Sequence, residues 1–134
     1  KLNFQGDNQL SLNVTLSTSP IEEVLNKADI ISLHVPFTGK PVLGAAEFAN
    51  MKDGVVLVNA ARGGTVDEIA LLAALDSEKV AFAGLDVFEN EPTPKAELMA
   101  HSKISLSPHI GAATEEAQDR IGTELASQII SILG

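Results

Sequence analysis

The chain contains no cysteine. This excludes disulfides and thiolate metal sites and fits a reducing compartment; the expectations are no metal site and a cytoplasmic location. Arginine is nearly absent: only Arg62 and Arg120 occur, and no run of basic residues exists. With a formal net charge of −9, the chain lacks the clustered Lys and Arg that nucleic acid or an anionic membrane surface requires. No apolar stretch approaches the roughly 18 residues of a membrane span, and Lys1 does not open a signal peptide. No G-x-G-x-x-G occurs either, so the glycine turn that cradles a dinucleotide pyrophosphate is not among these residues. The first residue is not Met, and the expectation is that further residues precede it.

What is present reads as one globular α/β domain. The 134 residues are 45% hydrophobic and 20% charged, ordinary for a domain with a sizeable core. Residues 2–16 suggest two short extended segments around Gly6-Asp7-Asn8. A helix is expected from Ser19 as N-cap, Pro20 at the first helical position and Glu22 closing a capping box, running to about Lys27. Strands follow at 29–35, 55–58, 80–87 and 104–107, alternating with helices at 44–51, 68–75 and 114 to about 133. Asp53-Gly54 marks a turn, while Asp67 and Thr114 stand where N-caps belong. In the last helix Ala117, Ile121, Leu125, Ile129 and Ile132 form one apolar stripe. Near-continuous apolar strands alternating with helices predict a parallel sheet with helices on both faces, a Rossmann-type arrangement. Right-handed crossovers then bring all strand C-termini to one edge, where such sheets bind ligands.

The strand ends carry the chemistry. They are His34-Val35-Pro36, then Asn59-Ala60-Ala61-Arg62-Gly63-Gly64, then Asp86 with Phe88, Glu89 and Glu91-Pro92, and finally Pro108-His109-Ile110-Gly111. Arg62, Asp86, Glu91 and His109 therefore gather on one edge. A histidine beside a carboxylate is an acid/base pair, and a forked cation on a glycine-flanked turn suits a carboxylate ligand. Small residues such as Ala60, Ala61, Ala112 and Ala113 leave room for a flat ring. Structural readings stand beside these. Gly63-Gly64 can be turn chemistry alone, and Asp86 a buried cap or hydrogen-bond partner. Glu89 reads as solvated, His101 as a surface residue, His34 as structural and Arg120 as a surface ion-pair residue.

The segments "SLHVPFTG", "NAARGGTVDEIALLAAL", "GLDVFENEP" and "SPHIGAATEEAQDRIG" closely resemble, in order and spacing, successive motifs of the D-isomer-specific 2-hydroxyacid dehydrogenases. The flavour is nearest D-3-phosphoglycerate dehydrogenase, and the resemblance spans roughly residues 17–133. It implies Arg62, Glu91 and His109 as catalytic residues. It implies NAD as cofactor, contacted by Val35, Ala60, Ala61, Arg62, Asp86, His109 and Gly111, and a 2-hydroxy or 2-oxo acid as substrate. A homodimer is the family's usual state. The glycine-turn half of the dinucleotide domain and the substrate domain are expected to lie outside residues 1–134, leaving an isolated chain inactive and strand 29–35 with a bare apolar edge. The implied reaction is oxidation of 3-phosphoglycerate in serine biosynthesis. A glyoxylate/hydroxypyruvate reductase, a corepressor-like NAD-sensing binding protein and an inert folded fragment are the alternatives.

Overall fold

The computed structural model describes residues 2–5 and 11–133. Strands β1 (Leu2–Gln5) and β2 (Ser11–Val14) pair antiparallel as a separate two-stranded sheet. The expected turn at Gly6-Asp7-Asn8 lies outside the described residues.

The main sheet holds β3 (Ile30–Leu33), β4 (Val55–Asn59), β5 (Val80–Leu85) and β6 (Ile104–Leu106), all parallel and in sequential order. Each crossover carries a helix: α2 (Ala45–Asn50), α3 (Glu68–Asp76) and α4 (Ala96–Ala100), with α1 (Ile21–Lys27) leading into β3. This is the parallel α/β sheet that the sequence pattern predicts. The 19-residue α5 (Glu115–Leu133) follows β6.

The strand registers explain the core. Ile31, Leu57 and Ala83 stand side by side on one face, with Leu33, Asn59 and Leu85 in the next row. This face packs against Leu25 of α1, Phe48 of α2, Leu71 and Leu75 of α3 and Leu98 of α4. Truncating a leucine as enclosed as Leu57 or Leu75 costs about 2–5 kcal/mol. The opposite face, with Ile30, Val58 and Phe82, is exposed. Among the described residues, helical cover over this sheet is therefore observed on one face, not on both as expected. The physical reason is that α5 buries none of its residues: Ile121, Leu125, Ile129 and Ile132 all face solvent. β3 stands at the sheet edge, as anticipated.

Two caps hold as the sequence predicts. The Asp67 carboxylate accepts from the Ile69 and Ala70 amides, and the Thr114 hydroxyl accepts from Ala117 N–H. A third does not. The N-cap of α1 is Pro20, with extended backbone, no side-chain cap bond, and Ile21 as first helical residue. Its carbonyl, rather than the Ser19 hydroxyl, receives the amides of Glu23 and Val24.

Candidate active site

The turn after β4 is built around a buried polar ring. Asn59 closes an otherwise apolar strand and is itself buried, so its amide must be satisfied internally. Its Nδ2 donates to Thr65 Oγ1 (3.1 Å) and to the Arg62 carbonyl (3.3 Å), while its Oδ1 accepts from Ala61 N–H (3.2 Å). The Thr65 hydroxyl in turn donates to the Arg62 carbonyl (2.7 Å). Residues 59–65 are thereby locked. Gly64 has φ +78°, a left-handed conformation under the Phe37 ring that suits glycine. The Arg62 guanidinium is exposed, and its Nη1 donates to the neighbouring Ala61 carbonyl at 2.6 Å. Arg62, Ala60 and Ala61 line a cleft of about 320 Å³ together with His34, Val35 and Pro36 from the end of β3.

The ends of β5 and β6 form the second half of the site. Asp86 is buried and accepts three bonds: Oδ1 from the Ser107 hydroxyl (2.6 Å) and Ile110 N–H (2.9 Å), Oδ2 from Gly111 N–H (2.8 Å). Burial pushes this carboxyl up. The Ser107 hydroxyl, the two amides and nearby His109 outweigh burial and hold it below its ordinary value. The two amides belong to a turn in which His109 has φ +55°. A left-handed non-glycine residue costs roughly 1–2 kcal/mol, and the charged acceptor beneath the turn offsets that cost. Asp86 is thus a buried hydrogen-bond partner of the His109 turn. Gly111 also borders Ala60: a Cβ on it would come within 4.0 Å of the Ala60 methyl and 3.0 Å of Asp86 Oδ2. The two halves of the edge therefore meet at Gly111.

His109 Nδ1 lies 2.7 Å from Glu91 Oε2, and Glu91 Oε1 accepts from Phe88 N–H at 3.0 Å. The His109 bond, then the Phe88 amide, hold the Glu91 carboxyl below the usual range. An ionised carboxylate only accepts, so Nδ1 carries the proton and Nε2 is the nitrogen free to exchange one. Glu91 and His109 also border an apolar pocket of about 360 Å³ formed with Phe88, Pro92, Met99 and Leu106.

The expected site residues thus fall into two clusters on one edge. Val35, Ala60, Ala61 and Arg62 share the first, while Asp86, Glu91, His109 and Gly111 share the second. The supporting residues Asn59, Thr65 and Ser107 were not singled out beforehand. A polar residue ending an apolar strand is the signal that would have found Asn59. One surface reading changes: His101 is largely enclosed beside Asp76, whereas Glu89 is exposed as expected and pairs with Lys95. Among the described residues no group of three His, Asp or Glu could hold a metal ion.

Residues 5–111 match the model for the D-isomer specific 2-hydroxyacid dehydrogenase, NAD binding domain. A hydroxypyruvate reductase from Thermotoga maritima is 45% identical over 119 residues, covering 85% of this chain and 39% of that protein. A D-3-phosphoglycerate dehydrogenase from Mycobacterium leprae is 46% identical over 110 residues, covering 81% of this chain and 21% of that one. Among solved structures, a glyoxylate reductase from Paecilomyes thermophila superposes with TM-score 0.72 at 43% identity, covering 78% of this chain and 33% of its own. A D-lactate dehydrogenase from Aquifex aeolicus complexed with NAD and lactic acid gives TM-score 0.67 at 31% identity, covering 86% and 40%. The chain spans well under half the length of these relatives. With this fold and this edge, it belongs to the D-isomer specific 2-hydroxyacid dehydrogenase family, through the NAD binding domain.

Proposed function

We propose that residues 1–134 are the nicotinamide-side half of an NAD-dependent D-2-hydroxyacid dehydrogenase, with Arg62, Glu91 and His109 as its catalytic residues. The observation that carries this reading is the His109–Glu91 pair at 2.7 Å, on the strand edge that also presents the exposed Arg62 guanidinium. The cleft suits a nicotinamide ring. Ala60 and Ala61 offer small side chains, Val35 an apolar wall, and Gly111 closes against Asp86 where a Cβ would intrude. When bound, NAD supplies the hydride acceptor and donor.

The chain's own residues do the rest. Arg62, on its locked turn, holds the substrate carboxylate and C2 oxygen with its fork of N–H donors. His109 takes the C2 hydroxyl proton at Nε2 during oxidation and returns it during reduction. Glu91 keeps Nδ1 protonated and stabilises the imidazolium. Asp86 holds the turn that aims His109, with Val35, Ala60, Ala61 and Gly111 bounding the ring site.

The substrate is read as 3-phosphoglycerate, oxidised to 3-phosphohydroxypyruvate in serine biosynthesis; the 46% identity to a D-3-phosphoglycerate dehydrogenase supports it. Hydroxypyruvate reduction is the second reading, favoured by the 45% identity to a hydroxypyruvate reductase. The glycine turn for the pyrophosphate and the substrate domain are read as lying outside residues 1–134, so that these residues alone are inactive. The protein is read as a cytoplasmic homodimer. Among the described residues no helix is long and apolar enough to cross a membrane, and the apolar stripe of α5 offers a surface for self-association.

The test is NADH oxidation by the intact protein with 3-phosphohydroxypyruvate, hydroxypyruvate and glyoxylate in parallel. The expected result is the highest kcat/KM for 3-phosphohydroxypyruvate, and a loss of about 10²–10⁴-fold in turnover for His109→Ala. Near-normal turnover in His109→Ala would overturn the catalytic assignment. A preference for hydroxypyruvate or glyoxylate would transfer the protein to the second reading.

A further inference from the structure

Glu68 is a buried carboxylate that the mechanism above does not use. It is the first residue of α3, yet α3 does not need it as a cap, because Asp67 already receives the Ile69 and Ala70 amides. Burying a charge is costly unless it is paired and hydrogen-bonded. The pairing here is reciprocal. Glu68 Oε1 accepts from Glu89 N–H (2.8 Å), and Glu89 Oε1 accepts from Glu68 N–H (3.2 Å). Lys95 bridges both carboxylates, 2.6 Å from Glu68 Oε2 and in direct contact with Glu89 Oε2. Hydrogen bonds to Glu68 and Glu89 hold the Lys95 ammonium above its ordinary pKa, so the bridge stays charged.

What these groups join is specific. Glu68 ends the stretch that begins with the Arg62 turn. Glu89 follows Phe88, whose N–H donates to Glu91. The same two stretches touch a second time at Gly63, which packs on the Phe88 carbonyl. Two points of attachment fix both the separation and the relative orientation of the stretches.

We propose that Glu68, with Glu89 and Lys95, is a positioning clamp holding the Arg62 turn and the Glu91–His109 pair in one frame. Its catalytic consequence rests on the dehydrogenase reading above; its geometry does not. The clamp acts through Phe88: while Glu89 is held, the Phe88 amide stays on Glu91, and Glu91 stays on His109. The titratable groups facing Glu91 are His109 and Asp86, and neither belongs to the clamp.

The experiment compares Glu68→Gln, Lys95→Met and the double variant in the intact protein, reading kcat, NADH affinity and the carboxyl-carbon NMR titration of Glu91. Gln at 68 keeps an acceptor for Glu89 N–H but sets an amide NH₂ against the Lys95 ammonium. Met at 95 leaves two carboxylates without their cation. Together the two changes remove both conflicts. Each single variant is expected to lower kcat about tenfold, in the way small misplacements of reacting groups do. NADH affinity stays unchanged and the Glu91 titration moves up toward the ordinary carboxylate value. The double variant recovers most of both. A role in stability alone would lower the melting temperature and leave kcat and Glu91 where they are, and that result overturns the proposal. So does a fall in kcat without movement of Glu91. If Glu68→Gln does not fold, Lys95→Met, whose side chain is one-quarter exposed, decides by the same criteria. If the wild type has no turnover while Glu91 still moves, the dehydrogenase reading fails and the clamp stands.

Discussion

Gly63 and Phe88 are in backbone contact: a Cβ built on Gly63 would come within 1.8 Å of the Phe88 carbonyl oxygen. No side-chain rotation relieves such an overlap, because the obstacle is main chain. Gly63→Ala is therefore expected to lose about 1–3 kcal/mol of stability, the range of overpacked sites. Turnover should fall with it, since the shift separates the Arg62 turn from the Glu91 segment. Urea unfolding monitored by circular dichroism, with activity assayed in parallel, measures both.

Replacing Glu91 by Gln keeps the size of the side chain and removes the charge that stabilises the imidazolium of His109. Reduction of a 2-oxo acid requires that imidazolium as proton donor. Glu91→Gln should therefore lower kcat for reduction by about 10²-fold, in steady-state kinetics at neutral pH. Turnover equal to the wild type would remove Glu91 from the mechanism.

Asp86 accepts from three donors, and Asn has a single acceptor oxygen, so Asp86→Asn sets its NH₂ against a hydroxyl or an amide. The expected loss is about 1–3 kcal/mol, that of a buried group left unsatisfied. The sign of the pH dependence follows from the lowered carboxyl. Its contribution is present above the unfolded-state pKa and disappears as pH falls through the still lower folded value. Wild type and Asp86→Asn should thus differ in melting temperature at neutral pH and converge in strong acid.

Arg62→Ala should lose about 10²–10³-fold in kcat/KM, comparable to removing one donor from developing charge. Arg62→Lys should recover only part of it, because an ammonium cannot reproduce the forked geometry. Steady-state kinetics of both variants, with NADH affinity as control, test the role of the guanidinium separately from that of the turn.

The sequence made much of this visible where the determinants are local. The Val55–Val58 run, the Asp67 and Thr114 caps and the apolar stretch at Val80 each state their element within a few residues. Arg62, Asp86, Glu91 and His109 could be gathered because parallel strands must end on one edge, while Glu91 as the partner of His109 came from the resemblance to the dehydrogenases. The helix α4 was not visible: five residues behind Pro94 carry too little periodicity to register. Glu68 was equally opaque. Its partners Glu89 and Lys95 stand 21 and 27 residues away, and nothing beside it distinguishes a buried acid from an exposed one. The cover expected on the second sheet face failed for a related reason. The stripe on α5 announces that the helix needs a partner, but a period cannot say which surface that partner is.

The exposed row on that second face has a calorimetric consequence. Ile30, Val56 and Phe82 stand on adjacent strands of one register, with Ile30 68% and Phe82 59% exposed. Apolar area already wetted in the folded state adds nothing when the chain unfolds. The heat-capacity increment of unfolding should therefore fall below the ~12–15 cal/mol/K per residue of ordinary globular domains. Anything that later covers the row will announce itself by a negative heat capacity of association, whatever the enthalpy measured at a single temperature.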